Sequence, residues 1–117
     1  MLLNLGVGDW YAEGWHNTDW AGSPHRKDET VDLTGPLPWA EGSVQLAYAG
    51  HLLEHLTLDG CHHLLTQLRP CMATDGQLLV VGPDATIARA LAAAGTLDIT
   101  LDSLLYGAHR WPGDEHR

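Results

Sequence analysis

The sequence is short of positive charge. Six of its 117 residues are Lys or Arg against fifteen Asp or Glu, a formal net charge of −9. With no basic patch to displace counterions, a nucleic-acid backbone is argued against as a partner. The same acidity argues against docking on an anionic membrane surface. Long apolar runs are missing too. Met1 to Leu5 has no basic flank and falls far below the roughly 20 residues of a spanning helix. It therefore reads as neither a signal peptide nor a membrane span. Cysteine is scarce: Cys61 and Cys71 form no C-x-x-C pair, and they read as reduced thiols of a cytoplasmic protein. Internal repeats and low-complexity tracts are absent. Phenylalanine is absent while Trp occurs five times, a skew for which the composition offers no physical account.

What is present fits one domain, residues 1–117, long enough to bury roughly two thirds of its unfolded surface without a covalent staple. The chain is organised around its first nineteen residues. Met1-Leu2-Leu3-Asn4-Leu5 is a short apolar run ending in Gly6-Val7-Gly8. A second run, Trp15-His16-Asn17-Thr18-Asp19, ends in an acid. A strand, a glycine turn that admits a ligand to its backbone, and a strand-end carboxylate facing ribose hydroxyls would have this pattern. Only Asp9 to Gly14 separates Gly8 from Trp15. A parallel crossover usually needs about a dozen residues or more, so this spacing by itself also admits an antiparallel hairpin.

Further along, residues 21–30 are polar and read as an exposed loop or weak helix. Val31-Asp32-Leu33 is a short third strand or its end, and Gly35 to Trp39 is broken by prolines. Val44 to Ala49 reads as a buried strand. His51 to Leu56 begins helical, and Thr57 is placed to cap the next helix. There Cys61, Leu64, Leu65, Leu68 and Met72 share one helical face, with Pro70 and Asp75-Gly76 ending it. Gln77 to Val81 is the clearest strand. Asp84 or Thr86 caps an alanine-rich helix that stops at Gly95. Leu97, Leu101, Leu104 and Leu105 again have helical spacing, before a polar tail from Gly107. Apolar strands alternating with helices predict an α/β fold with a mostly parallel sheet, and ligands of such sheets bind beyond the strands' carboxyl ends.

With these residues in hand, the chain resembles the class I S-adenosylmethionine-dependent methyltransferases, in particular the small type 11-like branch. Leu3-Asn4-Leu5-Gly6-Val7-Gly8 is similar to that branch's nucleotide loop, and Gly14 to Asp19 to its short second segment ending in the ribose-binding acid. Asp32-Leu33 through Leu37-Pro38-Trp39 to Val44 resembles the approach to the fourth strand. His51-Leu52-Leu53-Glu54-His55-Leu56 resembles the segment after it, and Arg69 to Leu78 and Val81-Gly82-Pro83-Asp84 the next turn and exit. Tyr106-Gly107 with Asp114-Glu115-His116 resembles a late segment. The resemblance implies a Rossmann-like three-layer sandwich of about five strands, a short or C-terminally truncated member lacking the usual closing hairpin. It implies S-adenosylmethionine as cofactor and a small-molecule methyl acceptor. An uncovered sheet edge would then be covered by a second subunit. Val7 and Asp9-Trp10 replace the small residues usual around the glycines, and Gln45 stands where an acid is usual.

On that resemblance, Gly6 and Gly8 approach the methionine part of the cofactor and Asp19 accepts from the ribose. Trp20 stacks on adenine, Asp32 and Leu33 face its amino group and ring, and Ala49 and Gly50 lie by the methyl group. His51 is the candidate general base and Glu54 the second candidate. Each has a plainer reading: a glycine turn, a solvated strand-end acid, a packing tryptophan, a turn acid, a loop-positioning histidine. A degenerate cofactor-binding module without activity is the alternative function. A nicotinamide enzyme fits worse, because Tyr11 stands where a third glycine is needed and Asp19 comes earlier than the roughly 20 residues expected. His51-Leu52-Leu53-Glu54-His55 also matches H-x-x-E-H, which on one helix aligns two histidines for zinc, with His62 or His63 nearby. No metal is expected here, since the leucines and the preceding strand already fit the other reading.

Overall fold

The computed structural model describes residues 1–95. The leucine-spaced segment after Gly95, the late motif and any closing hairpin lie outside the described residues. Five strands form the sheet: β1 (Leu2–Leu5), β2 (His16–Asp19), β3 (Glu29–Thr30), β4 (Val44–Gly50) and β5 (Met72–Val81). All pairings are parallel, in the order β3-β2-β1-β4-β5. Helix α1 (Leu58–Cys71) joins β4 to β5, and α2 (Ala85–Ala93) follows β5. This is the α/β, Rossmann-like arrangement expected of alternating apolar strands and helices. Among the described residues no helix is long and apolar enough to cross a membrane.

The period-2 alternation of the strands sorts their side chains between two faces. Leu3, Leu5, Ala47 and Ala49 pack with Val44 and with Leu68 and Cys71 of α1 to make the core. Leu33, Leu37, Trp39 and Leu52 pack against its margin. The opposite face carries Asn4, Leu46, Tyr48 and Leu79, aligned by register. Helix α1 starts where the sequence places its cap: the Thr57 hydroxyl accepts from Gly60 N at 3.0 Å. Asp84 likewise caps α2, accepting from Thr86 N and Ile87 N.

Two local expectations come out differently. The third strand is Glu29–Thr30, with Val31 bonded to Asp19 O just beyond it, because the pairing register follows β2. Helix α1 runs through Pro70, whose missing N–H falls in the last turn, and ends at Cys71. Met72 therefore belongs to β5, and the expected Asp75-Gly76 turn becomes an irregularity within that strand. Val44 pairs with Met72 but Leu46 with Gln77, so Ala73 to Gly76 bulge out before regular pairing begins. Gly76 is required there, since an added methyl would lie 2.9 Å from the carbonyl oxygens of Ala73 and Val44.

The first connection, for which spacing alone also admitted a hairpin, follows the predicted parallel sheet. β1 and β2 are parallel, so residues 6–15 complete a crossover with no helix. Two buried asparagines take the helix's place in satisfying the loop. Asn4 Nδ2 donates to Trp10 O at 2.9 Å and to Asn17 Oδ1 at 3.0 Å. Asn17 Nδ2 donates to the Ala12 and Trp15 carbonyls and to Asp28 Oδ2, each at 2.9 Å, while Asn17 Oδ1 accepts from Ala12 N. Asn17 is completely buried. A buried amide with all its groups engaged fixes the path of the chain about it.

Candidate functional site at the strand ends

The strand order reverses direction between β1 and β4: from β1 the chain proceeds to β2 and β3 on one side, and from β4 to β5 on the other. The connections leaving the carboxyl ends of these two strands diverge, and a crevice at that reversal is where open α/β sheets bind ligands. Gly6 and Gly8 leave β1 on this side, Asp19 ends β2, and Gly50 to Glu54 leave β4.

Gly6 and Gly8 both have positive φ, +64° and +50°. That left-handed conformation suits glycine and costs other residues about 1–2 kcal/mol. Around Gly8 an added methyl would meet open space, whereas at Gly6 it would meet Leu52 Cδ1 at 2.9 Å. Gly6 is thus needed both for its backbone angle and for the packing of Leu52 across the crevice. The loop is tied to β2 by Val7 N donating to Thr18 O at 2.9 Å and by Gly8 N donating to Asp19 Oδ2 at 3.1 Å. Asp19 also accepts from Ser23 Oγ at 2.8 Å and, on Oδ1, from Trp20 N at 2.9 Å.

On the other side of the crevice, His51 is the single non-glycine residue with positive φ among those described, at +52°. A bulky side chain in this region stores strain and is held there by its surroundings. His51 N donates to Val81 O at 2.7 Å, tying the turn to β5. Its Nδ1 lies 3.1 Å from Glu54 Oε1, with the histidine side chain 60% exposed and the glutamate only 11%. An ionised carboxylate only accepts, so Nδ1 is the donor in this contact. Glu54 also lies near Gly82, where an added methyl would be 3.6 Å from Oε2.

The turn at His51 removes the helix that the H-x-x-E-H reading requires. A 3₁₀ turn covers only Leu53–His55, so His51 and His55 are not one turn apart on a common helix. Among the described residues no group of three or more His, Cys, Asp or Glu side chains is gathered as a metal site.

The remaining sequence candidates have other partners. The Trp20 indole lies over its own turn, where an added methyl at Gly22 would be 2.1 Å from the ring. Asp32 closes a local turn, its Oδ1 accepting from Thr34 N and Oγ1; the Thr34 hydroxyl and amide hold its carboxyl below the usual range. Leu33 packs at the core margin, Ala49 is in the core, and Gly50 is covered by the Tyr48 ring. Sequence reasoning did not single out the Asn4–Asn17–Asp28 network. The signal was partly available: Asn4 stands alone inside the apolar strand Leu2–Leu5, before a crossover too short for a helix.

Asp28 holds the outer side of that network. It accepts from Tyr11 Oη at 2.6 Å, from Asn17 N at 2.8 Å and from Asn17 Nδ2. The Tyr11 bond first, then those from Asn17, lower its carboxyl to about 2. Glu29 is likewise lowered, chiefly by His16 at 2.6 Å and also by the Trp39 indole.

No protein-family model matches the chain, and no curated protein matches its sequence.

Proposed function

We propose that the chain binds S-adenosylmethionine and transfers its methyl group to a small-molecule acceptor in the cytoplasm. The observation that carries this reading is the reversal of strand order between β1 and β4, with a positive-φ glycine loop and the Asp19 carboxylate on one side and the strained His51 paired with Glu54 on the other. The residues fit an adenosyl group: Gly8 is bordered by open space, and Asp19 Oδ1 takes one protein donor and keeps a lone pair for a ribose hydroxyl. When bound, S-adenosylmethionine supplies a methyl group on a sulfonium leaving group. The protein's task is alignment of the acceptor and removal of its proton. His51 Nε2 takes that proton, and Glu54 holds the imidazole orientation through Nδ1. Trp20, Asp32, Leu33, Ala49 and Gly50 belong to the same reading as adenine-side and methyl-side residues. A second subunit would cover β5, one of the two edge strands, where Val80 and Val81 are exposed.

A cofactor-binding module without turnover is the second reading. It is favoured by Leu52, which fills the space over Gly6, and by the three protein donors already on Asp19. Thermal-shift titration with S-adenosylmethionine, S-adenosylhomocysteine and NAD tests both. A ligand at a hundred times its Kd stabilises by about 2.7 kcal/mol. Stabilisation by the two sulfur ligands and not by NAD supports the site; no shift at millimolar concentration removes it. Binding of both with no methyl transfer to any acceptor selects the inactive module.

A further inference from the structure

The helix-free crossover leaves a cavity of about 520 Å³ on the sheet face opposite α1. Its floor is Asn4, Leu46, Tyr48 and Leu79, and its roof is the first connection, from Asp9 to Ala12 together with Trp15. The volume lies in the range of small-molecule sites. Four of its walls are aromatic: Trp10, Tyr11, Trp15 and Tyr48. Among the described residues its charged lining residue is the Asp9 carboxylate; the Arg26 guanidinium rests on the Tyr11 ring without itself lining the space. The Asn4 amide is already given to Trp10 O and Asn17 Oδ1, so the floor offers no free amide donor to an anion. Trp10 and Tyr11 stay on this wall because the asparagine network fixes the loop beneath them.

We infer that this cavity binds a small organic cation of the quaternary ammonium type. Aromatic rings attract cations through their quadrupoles, Trp most strongly, and such cages recognise alkylated ammonium groups. One ring of this wall already holds a cation, since the Arg26 guanidinium sits 3.6 Å from the Tyr11 ring centroid. The Asp9 carboxylate, which lies 3.1 Å from His25 Nδ1, and the net charge of −9 complement a positive ligand. The site is separate from the strand-end crevice, and this inference does not depend on methyl transfer.

The test is a titration of the whole chain with choline chloride, followed by tryptophan fluorescence and calorimetry at constant ionic strength. The neutral isostere 3,3-dimethyl-1-butanol is the control. Saturable choline binding, at least about tenfold tighter than the isostere, is the expected result. Trp10→Ala weakens choline by about tenfold; because Trp10 is 78% exposed, the variant keeps its fold, as circular dichroism will show. Asp9→Asn weakens choline and leaves the isostere unchanged. Equal binding of choline and the isostere, binding of neither, or choline binding unchanged by Trp10→Ala overturns the proposal.

Discussion

The two halves of the sheet solve the same problem with different chemistry. From β4 through α1 to β5, an ordinary helical crossover covers one face, and apolar side chains hold it: Leu64, Leu68 and Cys71 are buried, with Val44, Ala47 and Ala49 beside them. From β1 to β2 the crossover has no helix, and the same parallel pairing is held by Asn4, Asn17 and Asp28 bonding to the loop's backbone and to one another. A helix satisfies its own peptide groups and presents an apolar stripe. A loop of this length satisfies few of its own, so buried side-chain amides must do so. The polar half is therefore specified by a few irreplaceable atoms, and the apolar half by volume that neighbouring side chains can partly refill.

The largest effect should come from breaking the polar half at its centre. Asn17→Ala leaves the Ala12 amide, the Ala12 and Trp15 carbonyls and the Asn4 amide short of partners, at a cost of about 4 kcal/mol. Leu68→Ala in the apolar half should cost about 3 kcal/mol, because the site can partly collapse. Urea unfolding of both variants checks the ranking. A smaller loss for Asn17→Ala than for Leu68→Ala would mean that packing, and not the amide network, holds the short crossover.

Where the halves meet, the two loop glycines sharpen the contrast. Gly6→Ala combines positive φ with displacement of Leu52 and should cost about 2 kcal/mol, whereas Gly8→Ala meets open space and should cost about 1 kcal/mol. Equal losses in thermal unfolding would remove the Leu52 contact from the account.

The smallest effect is read in acid. The Asp28 carboxyl is about 2 in the folded chain against a reference of 3.8, so its charged form is favoured by folding. Its contribution is fully present above pH 3.8 and disappears as pH falls through about 2, below which both states are protonated. Asp28→Asn should be less stable than the parent at pH 6, and the gap should close between about pH 4 and pH 2. A gap of constant size across that range would show that the hydrogen-bond geometry, and not the charge, carries the contribution.

How much was legible beforehand differs between the same two halves. The β4–α1–β5 unit follows from periodicity: continuous apolar strands, one apolar helical stripe and the Thr57 cap are all local signals. Even the Asp75-Gly76 signal was sound as a break, though the chain answers it with a bulge inside β5. At the candidate site, the glycine pair, Asp19, His51 and Glu54 are visible as residue types in order. Their relation is not, because it depends on the positive φ of His51 and on Leu52 crossing from β4's loop to Gly6.

The sequence by itself determined the alternation of strand and helix, the caps and the glycine positions, because each rests on neighbours within a turn or two of the chain. The spacing of the first connection left the direction of β2 open, and the tertiary structure settled it as parallel. Spacing allowed a hairpin, and the choice fell to Asn17, whose amide bonds Ala12, Trp15, Asp28 and Asn4 at once. Those partners are brought together only when three strands and a loop are in place, and a one-dimensional pattern carries no record of that closure.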